Sequence, residues 1–393
     1  MKWRIAIVAS HPIQYHAHWY RQLALSEQLE VEVLYCHRAT QEDQAQAGFG
    51  VAFDWDLPLL EGYRHRFLEN VSARPGVTEF AGTDSPQLRG LIIQERYDAV
   101  VVSGWHTKGL CQAIRACWQS GTPVMVRGDS HLHDERSLLK RTVKWLPYRY
   151  FIPRFDACLA AGAWSRDYFL HYGAQPEKVF IVPHAAPEPT GPSDPAGTSE
   201  IHDSRRRWGV PEGSSVFLFA GKFIALKRPL DFIRALAQAR AAGARVYGLM
   251  AGDGPMRSEI ETLIASLNAP VSLLGFLNQP AMSGAYRTSD ALVLASDRET
   301  WGMVVNEAMT CGRACIVTDR VGCGPDLIQP GRTGFIFPVG DVEALSARIR
   351  QIADSPILAA TMGVAARELI TRHSVRAAAE GLTRAITAIA EDR

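Results

Sequence analysis

Short apolar segments alternate with longer amphipathic segments along the first half of the chain. A run of roughly four to eight apolar residues is typical of a buried strand, whereas apolar positions at helical spacing indicate a helix. On this pattern we predict strands at residues 5–8, 31–35, 99–102, 123–126 and 179–182, and helices at residues 19–29 and 109–119. Strands that alternate with helices form a mostly parallel sheet that is covered on both faces.

The same alternation returns after an interruption. Residues 188–204 are rich in Pro, Gly, Ser and Asp, which is typical of a linker. Beyond them we predict strands at residues 215–220, 246–251, 272–274, 291–295 and 314–318, and helices at residues 229–243, 256–267, 304–311 and from residue 342 onward. The sequence therefore predicts an α/β fold of two Rossmann-like, doubly wound domains that face a central cleft. The domains are residues 1–190 and 205–393 with a linker at 191–204, and the last helix packs either on its own domain or back on the first.

Composition and charge exclude several classes of protein. Of the 393 residues, 47% are hydrophobic and 21% are charged, so extended disorder is excluded. The 42 Lys and Arg residues balance 41 Asp and Glu residues, and no excess of positive charge favours nucleic acid. No apolar run is long enough to cross a membrane, and the first residues lack the apolar core of a secretory signal. The seven cysteines form no Cys-x-x-Cys pair, which indicates reduced thiols and a cytoplasmic protein.

A loop near the start of the second half has the features of a phosphate site. Gly221 and Lys222 follow a predicted strand, and Lys227 lies just before a helix that begins at Pro229. Gly221 allows a close backbone approach, and the N–H groups at a helix start attract anions. The pattern predicts either a phosphate site without the Walker sequence or a solvated, positively charged turn.

A second loop contributes two carboxylates. Glu299 follows the strand predicted at 291–295, Gly302 frees the backbone, and Glu307 lies about one turn inside the next helix. Carboxylates accept hydrogen bonds from sugar hydroxyls, and the amides at a helix start suit sugar or phosphate oxygens. Glu307 is therefore either a ligand for hydroxyl groups or a charge on a solvated helix face.

The balanced charge conceals one basic segment. Residues 136–154 contain six Lys or Arg residues, four aromatic residues and no acidic residue. Such a segment predicts contact with an anionic membrane surface, here the inner face of the membrane, or with a negatively charged acceptor. The alternative is a helix with a solvated basic face.

Other motifs are incomplete. The pairs His16 with His18 and His131 with His133 lack a third metal ligand at suitable spacing, so we expect no metal site. The glycine turns at 252–254 and 322–324 lack the third glycine of a dinucleotide site and lie far from the first strand. We therefore expect no resident cofactor.

The motifs of the second half resemble those of the retaining glycosyltransferases of family 4, which have the GT-B fold. The resemblance rests on the Gly-Lys-x4-Lys loop at 221–227, the Gly-Asp-Gly-Pro turn at 252–255, the Glu-x7-Glu element at 299–307, the glycine-rich turn at 322–326 and the Gly-x-x-Gly hairpin at 331–334. It covers the whole second domain. In the first domain the resemblance is weaker and rests on the segment His-Pro-Ile-Gln-Tyr at 11–15.

The resemblance implies that the second domain binds a nucleotide-sugar donor, a UDP-sugar by the weight of the family. It assigns donor binding to Gly221, Lys222, Lys227, Phe276, Glu299, Trp301, Gly302, Met303 and Glu307. Lys222 and Lys227 would hold the diphosphate, and Glu299 would bind the transferred sugar near the backbone amides of the next three residues in this set. Glu307 would bind the ribose hydroxyls, and Phe276 would lie in the segment that meets the base.

The resemblance further implies that the first domain binds the acceptor. The candidate residues at its predicted strand ends are His11, Gln14, His106, Arg127 and Asp129. His106 takes the place where the family often has a histidine near the sugar, so it joins Lys222, Lys227 and Glu299 as a candidate catalytic residue. The chain departs from the family after the first strand, where Ser-His-Pro replaces a glycine pair, and at 184–187, where His-Ala-Ala-Pro replaces Asn-Gly-Val-Asp.

By this resemblance, the chain would move a sugar from the donor to a hydroxyl of a glycan, lipid or small molecule, with retention and without a metal. Lys222, Lys227 and helix-start amides would stabilise the leaving diphosphate. The alternatives are a non-catalytic nucleotide-sugar binding subunit and an epimerase or phosphorylase of the same fold. A subunit that had lost catalysis would be expected to lack one of the lysines or carboxylates of the donor site, and all four are present.

Overall fold

Two parallel sheets, of seven and six strands, organise this computed structural model, which describes residues 2–40, 58–133, 138–187 and 197–391. The described residues divide into two units. The first unit runs up to Ala185 and resumes at Ser374, and the second runs from Ala186 to His373. Each unit contains one of the two sheets.

The sheet of the first unit has the strand order β3-β2-β1-β4-β5-β6-β7. Its strands are β1 Trp3–Ala9, β2 Leu29–Tyr35, β3 Arg64–Phe67, β4 Ala99–Val102, β5 Val124–Gly128, β6 Ala157–Ala160 and β7 Val179–Ile181. All pairings are parallel, so the carboxyl ends of these strands lie along one edge. Ile5 and Ile7 enter one apolar cluster and Ala6 and Val8 another, because successive side chains of β1 point to opposite faces. Burial on both faces explains why the strand reads as a continuous apolar run.

The sheet of the second unit has the order β10-β9-β8-β11-β12-β13. Its strands are β8 Ser215–Ala220, β9 Val246–Ala251, β10 Val271–Gly275, β11 Ala291–Leu294, β12 Ala314–Thr318 and β13 Gly334–Phe337. These pairings are also parallel, and one core of buried apolar residues extends from the sheet to the flanking helices. The loops after β8, β9, β10 and β11 therefore lie along one edge of this sheet.

The described helices connect the strands and cover both sheets. They are α1 Gln14–Ala24, α2 Leu88–Glu95, α3 Lys108–Ser120, α4 Leu138–Phe151, α5 Ala163–His171, α6 Gly197–Arg207, α7 Pro229–Ala241, α8 Arg257–Leu267, α9 Gln279–Thr288, α10 Met303–Thr310, α11 Gly324–Leu327, α12 Val342–Ala353, α13 Pro356–Ile370 and α14 Val375–Glu391. Within the described ranges, no helix is both long and apolar enough to span a bilayer.

The last helix, α14, packs in the first unit against α1 and β7. Its residues Leu382 and Ile386 join the apolar cluster that contains Ile5 and Ile7. A side chain at Gly381 would lie 2.3 Å from the carbonyl oxygen of Ile181, so glycine is what allows α14 to approach β7. The chain thus returns to its first unit after completing the second.

Three strands were not predicted from the sequence. β3 has the polar sequence Arg-His-Arg-Phe and lies at the edge of its sheet, where Arg66 pairs with Glu32 at 3.1 Å. Because three of its four side chains are polar, β3 does not show the apolar run by which the other strands were predicted. β6 and β13 are four residues long, like the predicted strands β4 and β11, and they were missed although β6 is a continuous apolar run.

Two predicted elements differ most from the structure in their bounds. The helix predicted at 19–29 begins at Gln14 and ends at Ala24, because Gln14, Ala17 and Tyr20 already lie on its buried face and Leu29 belongs to β2. The segment predicted as a linker at 191–204 contains the start of α6, whose Arg205 donates to the Thr288 carbonyl oxygen at 3.1 Å. Residues 188–196 lie outside the described residues.

Candidate active site

Two glycine turns meet at the ends of β8 and β9. Gly221 has a φ of +154°, and a side chain at Gly252 would lie 1.9 Å from the carbonyl oxygen of Gly221. The N–H of Phe223 donates to the carbonyl oxygen of Asp253 at 2.8 Å. Because only glycine permits this approach of two backbones, the turn at 252–255 supports the loop that carries Lys222.

Lys227 lies in a short 3₁₀ turn, Ala225–Lys227, that precedes α7. The first turn of α7 contains the buried Asp231, whose carboxylate accepts a hydrogen bond from Arg228 Nε at 2.6 Å. A carboxylate of the chain itself thus accompanies this helix start. The sequence predicted an anion site formed by the lysines together with the α7 amides, and Asp231 lies in the same helical turn as those amides.

Lys227, Lys222 and Glu299 form a charged cluster. Glu299 Oε1 accepts hydrogen bonds from Ser296 Oγ at 2.8 Å and from Lys227 Nζ. Burial lowers the pKa of Lys222 below its ordinary value, the charge of Lys227 lowers it further, and Glu299 acts in the opposite direction. With both lysines ionised, the cluster has one net positive charge, which favours an anionic ligand.

The Glu299 loop is fixed by backbone contacts with the segment after β12. The Glu299 N–H donates to the Arg320 carbonyl oxygen at 3.1 Å, and the Gly322 N–H donates to the Glu299 carbonyl oxygen at 3.1 Å. A side chain at Gly322 would lie 2.0 Å from the Thr300 carbonyl oxygen. The glycine-rich turn at 322–326 is thus needed to hold Glu299 in place.

Trp301 and Gly302 lead from this loop into α10. Trp301 is 4% exposed, and its indole Nε1 donates to Asn306 Oδ1 at 2.7 Å, so its side chain belongs to the core. Gly302 has a φ of +107°, which favours glycine, and Met303 begins the helix. The first N–H groups of a helix have no intrahelical acceptor, so the backbone of Gly302 and Met303 suits a ligand oxygen.

Glu307, on α10, is buried and not on a solvated helix face. It is 9% exposed; its Oε2 accepts from Tyr286 Oη at 2.6 Å and its Oε1 from Gln279 Nε2 at 3.3 Å. The sequence did not identify Tyr286 or Gln279, which both lie on α9. Phe276 is half-buried directly after β10, whose Gly275 carbonyl oxygen accepts from the Gly252 N–H at 2.8 Å.

In the first unit, Arg127 joins residues that are distant in sequence. Arg127, in β5, is 7% exposed, and its guanidinium donates to His16 Nε2 and to His184 Nδ1, both at 3.2 Å. Asp129, directly after β5, lies 3.4 Å from the other ring nitrogen of His184. These residues meet at the sheet edge where β5 ends. His16 lies on α1, which follows β1, and His184 follows β7. His16 and His184 were not among the predicted site residues.

The other first-unit candidates lie at the same sheet edge. His106 follows β4 and is exposed, yet the protein around it desolvates the ring enough to lower its pKa, with Asp129 acting in the opposite direction. Gln14 is buried at the start of α1, and His11 Nδ1 lies 2.9 Å from Ser10 Oγ. These residues lie at the carboxyl edge of the sheet. Among them, the charge of Asp129 acts on the imidazole of His106.

The histidine pairs considered as metal ligands have other environments. His16 accepts from the cationic Arg127, which opposes a metal ion at that nitrogen. His133 stacks on Trp164 with ring centroids 3.9 Å apart, and His131 lies 5.1 Å from the same ring. Among the described residues, no group of three His, Cys, Asp or Glu side chains could hold a metal ion.

The helix α4 lies within the basic segment 136–154. Arg136 lies outside the described residues. Val143, Leu146 and Tyr150 recur at helical spacing on one face and are 68%, 70% and 71% exposed. Lys144 is turned towards the protein and donates to Tyr168 Oη at 2.8 Å. The described part of α4 therefore exposes large apolar side chains at these three positions.

Two family models match the chain. A model described as Glycosyl transferase 4-like domain matches residues 12–185, and one described as Glycosyl transferases group 1 matches residues 200–369. Among curated relatives, the chain is 34% identical over 256 residues to the sulfoquinovosyl transferase SQD2 of Arabidopsis thaliana, covering 58% of this chain and 48% of that protein. It is 32% identical over 167 residues to the N-acetyl-alpha-D-glucosaminyl L-malate synthase of Bacillus anthracis, covering 42% of this chain and 43% of that protein. The chain thus spans about half the length of the curated relatives it matches.

Solved structures match over the whole chain. HepE of Anabaena, in complex with UDP, superposes with a TM-score of 0.73 at 17% identity, covering 98% of this chain and 100% of that one. The sucrose-phosphate synthase of Thermosynechococcus elongatus gives a TM-score of 0.73 at 18% identity, with both chains fully covered at 100%. The two parallel Rossmann-like sheets therefore form the GT-B fold that the sequence predicted.

Proposed function

Because the chain belongs to the group 1 glycosyl transferase family, we propose that it moves a sugar from a nucleotide-sugar donor to an acceptor hydroxyl with retention of configuration. The proposed donor is a UDP-sugar, since HepE structures of the same fold were solved with UDP and with UDP-glucose. The names of these relatives differ in the sugar and in the acceptor, so neither identity is transferred to this chain.

The observation that carries this proposal is the cluster of Lys222, Lys227 and Glu299. Its net positive charge and the half-buried Lys222 suit a diphosphate, whose negative charge grows as the sugar departs. Lys227 contacts Glu299, so a bound donor would place its phosphates beside the lysines and its sugar beside the carboxylate. The two lysines supply the positive charge that stabilises the leaving group, and the mechanism we propose uses no metal.

The remaining donor contacts follow from the same loops. The hydroxyls of the transferred sugar would donate to Glu299, and the N–H groups of Gly302 and Met303 would donate to its oxygens. Glu307 would accept from the ribose hydroxyls, and Phe276 would contact the base. The departing phosphate would take the proton of the acceptor hydroxyl on the same face of the sugar.

The first unit would bind the acceptor. His11, Gln14, His106 and Asp129 lie at the carboxyl edge of its sheet, where doubly wound folds bind ligands. Burial lowers the pKa of His106, which favours the neutral imidazole, and a neutral imidazole can donate one hydrogen bond and accept another.

We also propose that α4 rests on an anionic membrane surface. Its exposed Val143, Leu146 and Tyr150 can enter the headgroup region, and the acid-free basic sequence around them complements anionic lipid. The enzyme would then meet a lipid-borne acceptor at the inner face of the membrane.

Calorimetry with UDP and UDP-glucose tests the donor site. Lys227→Ala should weaken UDP binding by about 10- to 100-fold, the range of a hydrogen bond between charged groups. Glu299→Gln should weaken UDP-glucose binding more than UDP binding, since it removes the charge beside the sugar but keeps an acceptor for Ser296. Lys108→Ala is the matched control, because Lys108 forms its ion pair with Asp84 in the first unit.

Turnover distinguishes the enzyme from its alternatives. The wild-type protein should release UDP from a UDP-sugar slowly in water and faster with an acceptor. Glu299→Ala should impair the rate of this release more than it impairs folding, measured as the unfolding temperature. UDP binding without turnover of any nucleotide sugar would favour the non-catalytic subunit. Conversion of the donor sugar without an acceptor would favour the epimerase, and unchanged UDP affinity in Lys227→Ala would refute the lysine site.

A further inference from the structure

Arg127 is a buried cation, and none of the described carboxylates lies at hydrogen-bonding distance from it. Its guanidinium donates to His16 Nε2 and His184 Nδ1, lies within 3.5 Å of the Pro183 carbonyl oxygen, and stacks over Trp19 at 4.8 Å. Burial lowers the pKa of Arg127, which nevertheless remains charged. A charge removed from water in this way needs a compensating partner.

The contacts of Arg127 fix the proton positions on both histidines. A guanidinium can only donate, so His16 Nε2 and His184 Nδ1 must both be acceptors. Burial lowers the pKa of His16 and of His184, and the charge of Arg127 lowers both further, so both rings are neutral. His16 is then protonated at Nδ1 and His184 at Nε2.

Arg127, His184 and Asp129 form a series of hydrogen-bonding side chains, in which the Nε2–H of His184 faces Asp129. This nitrogen lies 3.4 Å from Asp129 Oδ2, so His184 accepts from Arg127 on one side and donates to Asp129 on the other. The Asp129 side chain is 38% exposed, compared with 14% for His184, while Arg127 as a residue is 7% exposed. Asp129 is thus the member of this series that a ligand would meet.

We propose that Arg127, His16 and His184 are positioning residues that hold Asp129 to accept hydrogen bonds from hydroxyls of a neutral sugar or polyol in the acceptor site. The proposal rests on the assignment of acceptor binding to the first unit. Arg127 and Asp129 balance each other in charge, and His184 between them is neutral, so the group has no surplus cation for an anionic acceptor. Arg127 itself donates to the ring nitrogens of His16 and His184.

Binding of simple probes tests the ligand class. Methyl α-D-glucopyranoside and myo-inositol represent neutral polyols, and glucose 6-phosphate represents an anion; each is titrated into the protein in saturation-transfer NMR. Asp129→Asn should weaken binding of the neutral probes by about 10- to 100-fold. Asp167→Asn, an exposed aspartate on α5 that pairs only with Arg166 in the described structure, is the matched control and should bind as the wild type does.

Two variants of His184 separate positioning from general structural support. Glutamine places its amide where the imidazole Nε2 lies and can still donate to Asp129, whereas asparagine reaches only the position of Nδ1 and can still accept from Arg127. His184→Gln should therefore keep most of the neutral-probe affinity, and His184→Asn should lose it as Asp129→Asn does. Equal affinity in both His184 variants, at equal unfolding temperature, would overturn the positioning role.

Nitrogen NMR of the imidazoles gives a readout that does not depend on activity. We expect His184 as the neutral Nε2–H tautomer and His16 as the neutral Nδ1–H tautomer at pH 7. A doubly protonated ring, or the opposite tautomer of His184, would overturn the proposal. So would a preference of the wild-type protein for glucose 6-phosphate, or an absence of saturable binding of both neutral probes. UDP affinity measured on the same samples reports separately on the proposed function, because the donor residues lie in the second unit.

Discussion

Glu307 differs from Glu299 in what its carboxylate already does for the fold. It is 9% exposed, and both of its oxygens accept hydrogen bonds from α9, from Tyr286 at 2.6 Å and Gln279 at 3.3 Å. A buried carboxylate needs such donors, since removing the ion from water costs several kcal/mol. In the proposed role, one carboxylate therefore serves both the packing of α9 on α10 and the ribose of the donor.

A nucleotide comparison can separate these two roles. Wild-type protein should bind UDP more tightly than 2′-deoxy-UDP, because the second nucleotide lacks one ribose hydroxyl. Glu307→Gln should weaken UDP binding by about 10- to 100-fold and remove this preference, since an amide oxygen accepts a weaker hydrogen bond than a carboxylate. Calorimetry with both nucleotides on both proteins isolates the coupling between Glu307 and the hydroxyl.

Tyr286→Phe is the control for that experiment. It removes the hydrogen bond that Tyr286 donates to Glu307 Oε2, while Gln279 still donates to Oε1, and it should lower stability by about 1–3 kcal/mol, measured as a lower urea midpoint. It should keep the preference for UDP. If Glu307→Gln kept the same preference, Glu307 would be only a partner of Tyr286.

Contacts between residues that are far apart in the sequence are the ones that the sequence did not predict. The spacing of Lys222, Lys227 and Glu299, together with a family resemblance, predicted residues that the structure brings into one cluster. The partners of Arg127 could not be predicted, because His16 and His184 lie on α1 and after β7, far from Arg127 in sequence. Their contacts arise from the order of parallel strands, which apolar patterns do not specify.

Among the secondary-structure elements, the continuous apolar strands were the predictable ones. β8, β9 and β12 occupy the predicted residues because burial on both faces demands an unbroken apolar run. β3 was missed because its partner strand, and not its own composition, makes it extended: Arg64 and Arg66 both pair with Glu32 of β2. The start of α1 was misplaced for a similar reason, since the polar Gln14 is buried there.

The exposed apolar face of α4 gives a prediction at the level of the element. The protein should bind vesicles of mixed phosphatidylglycerol and phosphatidylcholine in a sedimentation assay, and added salt should weaken the binding. Leu146→Glu should reduce the affinity by about 10- to 100-fold, because burying one large apolar side chain contributes about 1.5–3 kcal/mol.

Ile357→Glu is the matched control for Leu146→Glu. Ile357 is 81% exposed near the start of α13 in the second unit, so the same charge enters on a similar apolar residue away from α4. It should bind vesicles as the wild type does. Equal losses in the two variants, or equal wild-type binding to pure phosphatidylcholine vesicles, would contradict a specific role for α4 on anionic lipid.

For the whole molecule, the net charge of +1 counts the histidines as neutral, although their protonation depends on pH and on folding. Burial lowers the pKa of His16 and His184 below their ordinary value of 6.5, with Arg127 acting in the same direction. The pKa values of His18 and His373 are also lowered by burial. These residues are neutral in the folded protein and take up protons in the unfolded chain near pH 6.5, so the unfolded state binds more protons below that pH.

Stability should therefore fall as the pH decreases from about 6.5 towards 5, and should be fully present above about 6.5. A histidine that stays neutral in the folded protein across this window contributes a slope of at most about 1.4 kcal/mol per pH unit, measured from urea unfolding at several pH values. His16→Gln should reduce the slope by about one histidine's share, because the amide oxygen still accepts from Arg127 but does not titrate. His171→Gln, at an exposed position that ends α5, is the matched control for the loss of an imidazole. An unchanged slope in His16→Gln would mean that His16 is already protonated in the folded protein, which would also contradict its acceptance of a hydrogen bond from Arg127.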